Sequence, residues 1–334
     1  MFGLLLTALR YGSMLFSVWV GVALAYGSAL LKIPIQQALL NLVSYSFSLF
    51  LAIFHMIASN EKAGKKPPNS AGIKDVTKIK KIVFVRHGES VWNDIFNKGK
   101  DVGLLVRLIR GLVNELGFAC SNDSLFLDTP LSPSGESQAE KLAQFIRDGK
   151  VASGAPETVE TVLKALRGES PATFLCSNLR RAIDTAAIAL PKATKVTVFS
   201  DLQEMSRNVD TQSLLPQSSV PSTKFSKSLK WDQRMNKGNK SFSSKGISRM
   251  TRFAHFATNN VQDEVVVAIG HSIWFKTFFK HFLPHDSQHE AKLRKIENCG
   301  VVVFNLEYGK IAGAPGFRID PKSIEPVYLG FHGK

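Results

Sequence analysis

The chain is built around one short run, which reads Lys81-Ile82-Val83-Phe84-Val85-Arg86-His87-Gly88-Glu89-Ser90-Val91-Trp92-Asn93. Its first half is an unbroken series of β-branched and aromatic residues, which is typical of a buried strand. The series ends in Arg86 and His87, and Gly88 after them permits a tight turn. The pattern therefore predicts that a guanidinium and an imidazole lie at the carboxyl edge of a sheet, where open α/β folds place their ligand sites.

A second run repeats this design nearer the carboxyl terminus. The apolar residues 265–269 end in Gly270-His271-Ser272, so a buried strand again delivers an imidazole through a glycine. A strand-terminal Gly-His is a weak signal by itself, but it becomes a strong one when it is paired with the first run. Because imidazole is a competent nucleophile towards phosphorus when a guanidinium holds the phosphate oxygens, the two runs predict a phosphate site.

Two further strings lie between these runs. The first, Asp128-Thr129-Pro130-Leu131-Ser132-Pro133, opens a predicted helix for which Ser132 is a good N-cap residue. The second, Ser177-Asn178-Leu179-Arg180-Arg181-Ala182, follows a predicted strand, and Ser177 is the predicted N-cap of the next helix. The residues alone do not distinguish the two adjacent arginines of this string.

Together these strings resemble the motifs of the histidine phosphatase superfamily, also called the phosphoglycerate mutase-like superfamily. The resemblance covers roughly residues 81–308 and implies an α/β fold with a mostly parallel central sheet flanked by helices. That fold agrees with strands predicted near residues 82, 172, 196, 264 and 301, with helices between them.

The resemblance also implies the roles of the site residues. His87 is the nucleophile, Glu204 is the general acid that protonates the leaving oxygen, and His271 stabilises charge on the transferring phosphoryl group. Of the two adjacent arginines, Arg181 grips phosphate, and Arg180 is expected to face solvent. The residues that the resemblance assigns to the substrate phosphate are Arg86, Asn93 and Arg181, and Arg207 is predicted to bind it as well, although the chain departs from the mutase pattern there.

The sequence after the acid departs from the mutase pattern. Phosphoglycerate mutases continue into Arg-His-Tyr-Gly, whereas this chain has Met205-Ser206-Arg207-Asn208. We therefore predict a phosphatase that hydrolyses phosphomonoesters through a phosphohistidine on His87. Two alternatives stay open at this point, a phosphoglycerate-type mutase and a non-catalytic membrane adaptor that binds phosphorylated partners.

Composition bounds the partners and cofactors. The 334-residue chain has a formal net charge of +15, which favours phosphorylated small molecules, phosphoproteins and anionic lipid as partners. No nucleic-acid-binding module is recognisable, so nucleic acid is not a predicted partner. The three cysteines are far apart and predict neither a disulfide framework nor a metal site. Arginines and histidines supply the positive charge that a metal would bring, so no metal or other cofactor is predicted.

The first 60 residues contain no acidic residue and only Arg10 and Lys32 as bases. The uncharged runs 11–31 and 38–58 are each long enough to cross a bilayer, which takes about 20 helical residues. Lysines crowd the exit of the second run, so the positive-inside rule predicts a helical membrane hairpin with the catalytic domain facing the cytosol. A cleaved signal peptide or a transit peptide fits this composition less well.

The predicted organisation follows from these patterns. A helical pattern in residues 102–116 indicates a helix that caps the core, with a lid over the site or a strip on the membrane surface as alternatives. Residues 211–245 are rich in Ser, Lys, Asn and Gln and are predicted to be a flexible insertion. The predicted parts are a membrane anchor (1–60), a basic linker (61–80), a catalytic domain (81–310) and a tail (311–334).

Overall fold

A computed structural model describes residues 32–59, 61, 72–96, 102–118, 120–121, 123–149 and 157–333, with scattered positions between 18 and 29. These residues form one mixed sheet with helices on both faces. In chain order the strands are β1 (Lys74–Arg86), β2 (Ala172–Cys176), β3 (Lys195–Val198), β4 (Lys230–Asp232), β5 (Val265–Gly270), β6 (Val301–Ile311), β7 (Ala314–Ile319) and β8 (Glu325–Tyr328). The helices are α1 (Ile35–Ala58), α2 (Val91–Phe96), α3 (Val102–Phe118), α4 (Pro133–Asp148), α5 (Glu157–Arg167), α6 (Arg180–Ala189), α7 (Gly246–Asn259) and α8 (Ser272–Phe282).

The strands lie in the order β4-β3-β2-β5-β1-β6-β7, and β8 pairs with β6. Five strands, β1 to β5, are mutually parallel, whereas β6 runs antiparallel to β1, β7 and β8. The predicted α/β fold with a mostly parallel central sheet is therefore confirmed, and an antiparallel extension at one side makes the sheet mixed.

Alternate residues of β1 serve two separate cores. Ile82 and Phe84 pack with α7 and α8 on one face, and Val83 and Val85 pack with α4, α5 and α6 on the other. The ring of Phe84 stacks on that of Phe275, with the centroids 4.1 Å apart. Because helices cover both faces, the central strands are continuously apolar rather than alternating.

The register of the central strands aligns the two histidine-bearing ends. Arg86 of β1 lies opposite Gly270 of β5, so the next residue of each strand end is a histidine at the same edge. The backbone N–H of His87 donates to the carbonyl of Gly270 at 3.0 Å, which fixes this alignment.

The sheet extends further than the sequence predicted. Residues 74–80, assigned to the basic linker, are the first half of β1 and pair with β6. Residues 311–334, assigned to an uninformative tail, contain β7 and β8. Both differences have one cause: most residues of these segments are exposed or half-buried, so the segments lack the continuous buried apolar pattern by which strands are recognised.

The two N-cap predictions have opposite outcomes. Ser132 does cap α4, because its hydroxyl accepts a hydrogen bond from Gly135 N at 3.1 Å. Ser177 does not cap a helix: α6 begins only at Arg180, and its cap position, Leu179, makes no side-chain bond. The hydroxyl of Ser177 instead lies 2.8 Å from Nε2 of His271.

Residues 211–245 form a series of short turns joined by hydrogen bonds. The Asn236 side chain donates to the carbonyls of Pro216 and Ser219, and Asn239 bonds both Gln203 and Ser213. This segment therefore packs onto the loop that carries Glu204. The predicted flexibility of the insertion stays a prediction.

Helix α1 is long and apolar enough to span a membrane by length and composition. One face packs on α3 and the loop after it, where the Tyr45 hydroxyl donates to Glu115 at 2.5 Å and the Asn41 amide donates to Cys120 O at 2.7 Å. The other face is exposed, with Phe47 and Ile57 at 62% and 72%. The first predicted span, residues 11–31, lies almost wholly outside the described residues.

Helix α3 confirms the helical pattern predicted for residues 102–116. It exposes a row of apolar side chains, Leu105, Val106, Ile109, Leu112 and Val113. The three cysteines of the chain, Cys120, Cys176 and Cys299, are all among the described residues; they are buried and form no disulfide with one another.

Candidate active site

The site lies where β1 and β5 end at the carboxyl edge of the sheet. The imidazole rings of His87 and His271 have centroids 5.0 Å apart. Their side chains are buried, at 4% and 0% exposure. Burial lowers the pKa of both histidines well below 6.5, and the charge of Arg181 acts in the same direction on each. Both rings are therefore neutral at neutral pH.

The hydrogen bond of His87 sets its tautomer. Nδ1 lies 2.5 Å from the carbonyl oxygen of Gly88, and a carbonyl only accepts, so Nδ1 carries the proton. Nε2 then holds the lone pair. The turn itself is secured by Thr185, whose hydroxyl accepts from Gly88 N at 3.0 Å. A neutral imidazole with a lone pair on a fixed nitrogen is a competent nucleophile.

Two buried arginines flank the nucleophile. Arg86 donates through Nη1 to the carbonyl of Ile296 at 2.6 Å. Burial lowers the pKa of Arg86 to about 10, with Glu204 opposing the change, so the guanidinium is still charged at neutral pH. Arg181 is 2% exposed, and its charge acts on both histidines. Arginine is suited to phosphate because its planar fork donates bidentately.

Glu204 is held at the amino end of helix α8. Its carboxylate accepts hydrogen bonds from Met205 N at 2.8 Å, Trp274 N at 2.9 Å and Ile273 N at 3.2 Å. Two of these donors lie two and three residues after His271 in the chain, and the carboxylate also interacts electrostatically with Arg86. The predicted acid therefore joins the two histidines and two arginines in one buried cluster.

Ser177 is a site residue that the sequence reasoning assigned to a different task. Its hydroxyl lies 2.8 Å from Nε2 of His271, whereas Nδ1 of that ring is buried and has no partner among the described residues. Ser177 thus orients the ring and leaves Nδ1 facing the site. A serine directly after a buried strand was the available signal.

Lys240 lies within the predicted flexible insertion, and the sequence analysis gave it no role in the site. Its ammonium donates to the carbonyls of Glu204 at 2.6 Å and Ser206 at 2.5 Å, and to the Thr211 hydroxyl at 3.2 Å. Burial lowers its pKa to about 7, and Arg249 acts in the same direction. Lys240 therefore fastens the loop that carries the acid. No local sequence pattern marks such a contact.

Arg249 links the same loop to the segment after α1. It donates to the carbonyl of Gln203, and its Nη2 lies 2.6 Å from Oε1 of Glu61. The side chains of both ion-pair partners are buried, at 3% and 0% exposure.

The remaining predicted phosphate ligands lie further out. Asn93 is half-buried on α2, and its backbone N–H donates to Ser90 Oγ at 3.3 Å. Arg207 is half-buried in the loop after Glu204, where its charge acts on His55. Their contact with substrate stays a prediction. Arg180, expected to face solvent, instead donates to the carbonyl of Asp128 at 2.7 Å and ion-pairs with Asp123.

A cavity of about 850 Å³ opens beside the site rather than over it. It lies between α1, α6 and residues 213–225, and Tyr45, Asp184 and Phe225 are among its lining residues. None of the five clustered site residues lines it. We therefore locate the candidate active site by the side-chain cluster and not by this cavity.

Comparison with known families agrees with this cluster. Residues 156–313 match the model of the histidine phosphatase superfamily (branch 1). The matched segment carries Arg181, Glu204 and His271, and it begins after β1, which supplies Arg86 and His87. This segment has the sequence pattern of that superfamily. No curated protein matches the chain.

Several solved structures are similar over most of their length. A mycobacterial glucosyl-3-phosphoglycerate phosphatase complexed with VO3 is 16% identical, with a TM-score of 0.36, and the alignment covers 72% of this chain and 97% of that one. A phosphoserine phosphatase from Entamoeba histolytica, complexed with 3-phosphoglyceric acid, is 16% identical, with a TM-score of 0.33 and coverages of 72% and 96%. At such identities, the substrates of those proteins are not transferred to this chain.

Proposed function

We infer that this chain, whose residues 156–313 carry the histidine phosphatase pattern, is a phosphatase that hydrolyses phosphomonoesters through a phosphohistidine on His87. One observation carries the proposal: a neutral His87 with its Nε2 lone pair free lies among Arg86, Arg181 and His271, beside a carboxylate.

The proposed reaction has two steps. Nε2 of His87 attacks phosphorus in line, the bond to the leaving oxygen breaks, and Glu204 gives its proton to that oxygen. Arg86, Arg181 and His271 hold the phosphoryl oxygens, with Asn93 and Arg207 as further predicted ligands. Water then attacks the phosphohistidine, Glu204 takes up a proton, and inorganic phosphate leaves. The residues present supply the positive charge for this chemistry.

The test is a single-turnover assay on the full chain in detergent, with a generic phosphomonoester and EDTA. We expect free phosphate and an acid-labile phosphoenzyme from the wild type. His87→Ala should form neither and lose activity by about 10⁴-fold or more. A phosphoenzyme that keeps its phosphoryl group would instead indicate a mutase. Absence of both products with the wild type would contradict catalysis and favour a phospho-binding adaptor.

We further propose that α1 anchors the protein to a membrane, with the catalytic domain on the cytosolic side. The support is its apolar composition and its exposed face, which can lie against lipid while the other face packs on the domain. The basic residues 62–81 support the orientation, because positive charge favours the cytosolic side. Alkaline extraction of cell membranes tests the anchor, and protease protection of the catalytic domain tests the side. Release of the protein into the alkaline supernatant would contradict anchoring.

A further inference from the structure

The phosphate-binding Arg181 already has an anion as its partner. Its Nη1 donates to the backbone carbonyl of Asp210 at 2.8 Å, and its Nη2 lies 3.5 Å from Oδ2 of the same residue. Asp210 is 7% exposed, and its Oδ1 is buried without a partner among the described residues. One residue thus takes up both terminal nitrogens of the guanidinium.

A carboxylate is costly at this position. Burial raises the pKa of Asp210, Glu204 acts in the same direction, and only the charges of Arg181 and Lys240 oppose the change. The backbone carbonyl of Asp210 already positions Arg181. The buried carboxylate, with one unsatisfied oxygen and a second carboxylate nearby, is therefore not needed to position Arg181.

The charges of the cluster suggest a role for the Asp210 carboxylate in phosphate binding. In the proposed reaction, the positive charges of Arg86 and Arg181 bind the phosphate. Glu204 must stay beside them as acid and base. Asp210 forms the ion pair with Arg181, and a phosphate on that guanidinium would meet it at short range, where like charges repel strongly.

We propose that Asp210 is an internal competitor for the substrate phosphate, which must displace its carboxylate from Arg181 before binding. This inference rests on the proposed function, because it takes Arg181 as a phosphate ligand. Asp210 neutralises the guanidinium while the site is empty and sets the affinity for phosphate. It thereby favours dianionic phosphate groups, which can outcompete a single carboxylate, over monoanionic ligands such as carboxylates and phosphodiesters.

The surrounding loop allows the exchange. Asp210 lies in a single helical turn, Val209–Thr211, next to the exposed Asn208. The Thr211 hydroxyl donates to the carbonyls of Ser206 and Asn208 at 3.0 and 2.7 Å and accepts from Lys240 at 3.2 Å, so the turn is tied to loops rather than to the sheet. A side-chain rotation at Asp210 therefore releases Nη2 of Arg181, while Nη1 keeps its bond to the backbone carbonyl of Asp210.

The experiment is calorimetric titration of the full chain in detergent and EDTA with inorganic phosphate, for the wild type and Asp210→Asn. The variant keeps the shape and removes the charge, so we expect its Kd to fall by about tenfold. The KM for an aryl phosphate should fall with it. The Kd for acetate, a monoanion, should approach that for phosphate.

Asp201→Asn is the matched control. Asp201 is also 7% exposed and pairs with an arginine, Arg252 at 2.5 Å, but not with Arg181. Its phosphate Kd should equal that of the wild type, and an equal gain there would overturn the proposal. Asp210→Ser provides a second variant if the amide does not fold, as judged by thermal unfolding.

The other outcomes are also decisive. Weaker phosphate binding by Asp210→Asn would show that Asp210 positions Arg181, and unchanged binding would show that the carboxylate does not compete. Either result overturns this inference and leaves the proposed function standing if the wild type still turns over phosphomonoesters. A wild type that neither binds phosphate nor turns over would overturn both.

Discussion

The carboxyl edge of the sheet and helix α1 both depart from the usual pattern of polar side chains outside and apolar side chains inside, but in opposite ways. At the sheet edge, charged and polar groups are inside: Arg181 is 2% exposed and Glu204 is 5% exposed. On α1, hydrocarbon is outside: Phe47 is 62% exposed and Ile57 is 72% exposed. Buried polar groups and large exposed apolar surfaces are the two departures that carry information about function.

The two regions differ in what offsets the free-energy cost of burying charged groups or exposing apolar ones. Each buried charge at the sheet edge has a partner within the chain, such as Asp210 for Arg181 and Glu61 for Arg249. The exposed face of α1 is not covered by the described residues, and under the proposed membrane anchoring lipid would cover it.

The comparison is sharpened most by replacing the acid at the sheet edge. Glu204→Gln keeps an oxygen to accept from Trp274 N but has no proton to give. We expect kcat to fall by about 10²- to 10⁴-fold on an alkyl phosphate, because general acid catalysis typically contributes that much. The loss should be much smaller on an aryl phosphate with an acidic leaving group. Equal losses on both substrates would contradict the role of general acid.

Breaking one buried ion pair tests whether the buried charges are stabilised by their ion-pair partners. Glu61→Gln leaves the buried Arg249 without its anion, and we expect the free energy of unfolding in urea to fall by about 3–5 kcal/mol. Glu160→Gln is the control, since its pair with Lys164 is exposed and should leave stability unchanged. Equal effects of both changes would show that burial does not matter here.

Helix α1 offers a pair of changes on its two faces. Leu42→Ala, on the face buried at 2% exposure, should lower the free energy of unfolding in detergent by about 2–5 kcal/mol. Phe47→Ser, on the exposed face, should leave stability unchanged and weaken binding to lipid vesicles by about tenfold or more. Vesicle flotation measures the second effect. A reversed pattern would mean that the exposed face is not the one that meets lipid.

The smallest effect is a pH dependence of stability. The pKa of His271 is lowered by burial first and then by neighbouring positive charges, so the unfolded state binds more protons below about pH 6.5. Stability should therefore fall as the pH drops below that value. His271→Asn should reduce this slope by about 1.4 kcal/mol per pH unit. Urea unfolding between pH 5 and 7 measures it, and equal slopes in both proteins would contradict a neutral buried ring.

The sequence predicted the parts of the site whose signals are local. His87 and His271 each end a buried apolar strand, and parallel neighbours bring such ends together, as the pairing of Arg86 with Gly270 shows. The general architecture followed from the same runs.

The missed parts depend on contacts between loops that are distant in the chain. Lys240 bonds Glu204 across 36 residues, and Arg181 meets Asp210 across 29. Periodicity does not encode such pairs. The adjacent Arg180 was wrongly expected to face solvent for the same reason, because its partners Asp123 and Asp128 lie more than 50 residues away.

The three buried thiols bear on how the protein meets oxidative stress. Burial raises the pKa of Cys299 to about 12 and that of Cys176 well above its ordinary value, so both stay protonated. Peroxide and alkylating reagents react with thiolates, whereas the proposed nucleophile is an imidazole. Turnover should therefore persist under oxidant doses that inactivate phosphatases with a cysteine nucleophile. This chain would then keep removing phosphate while thiol-dependent dephosphorylation is switched off.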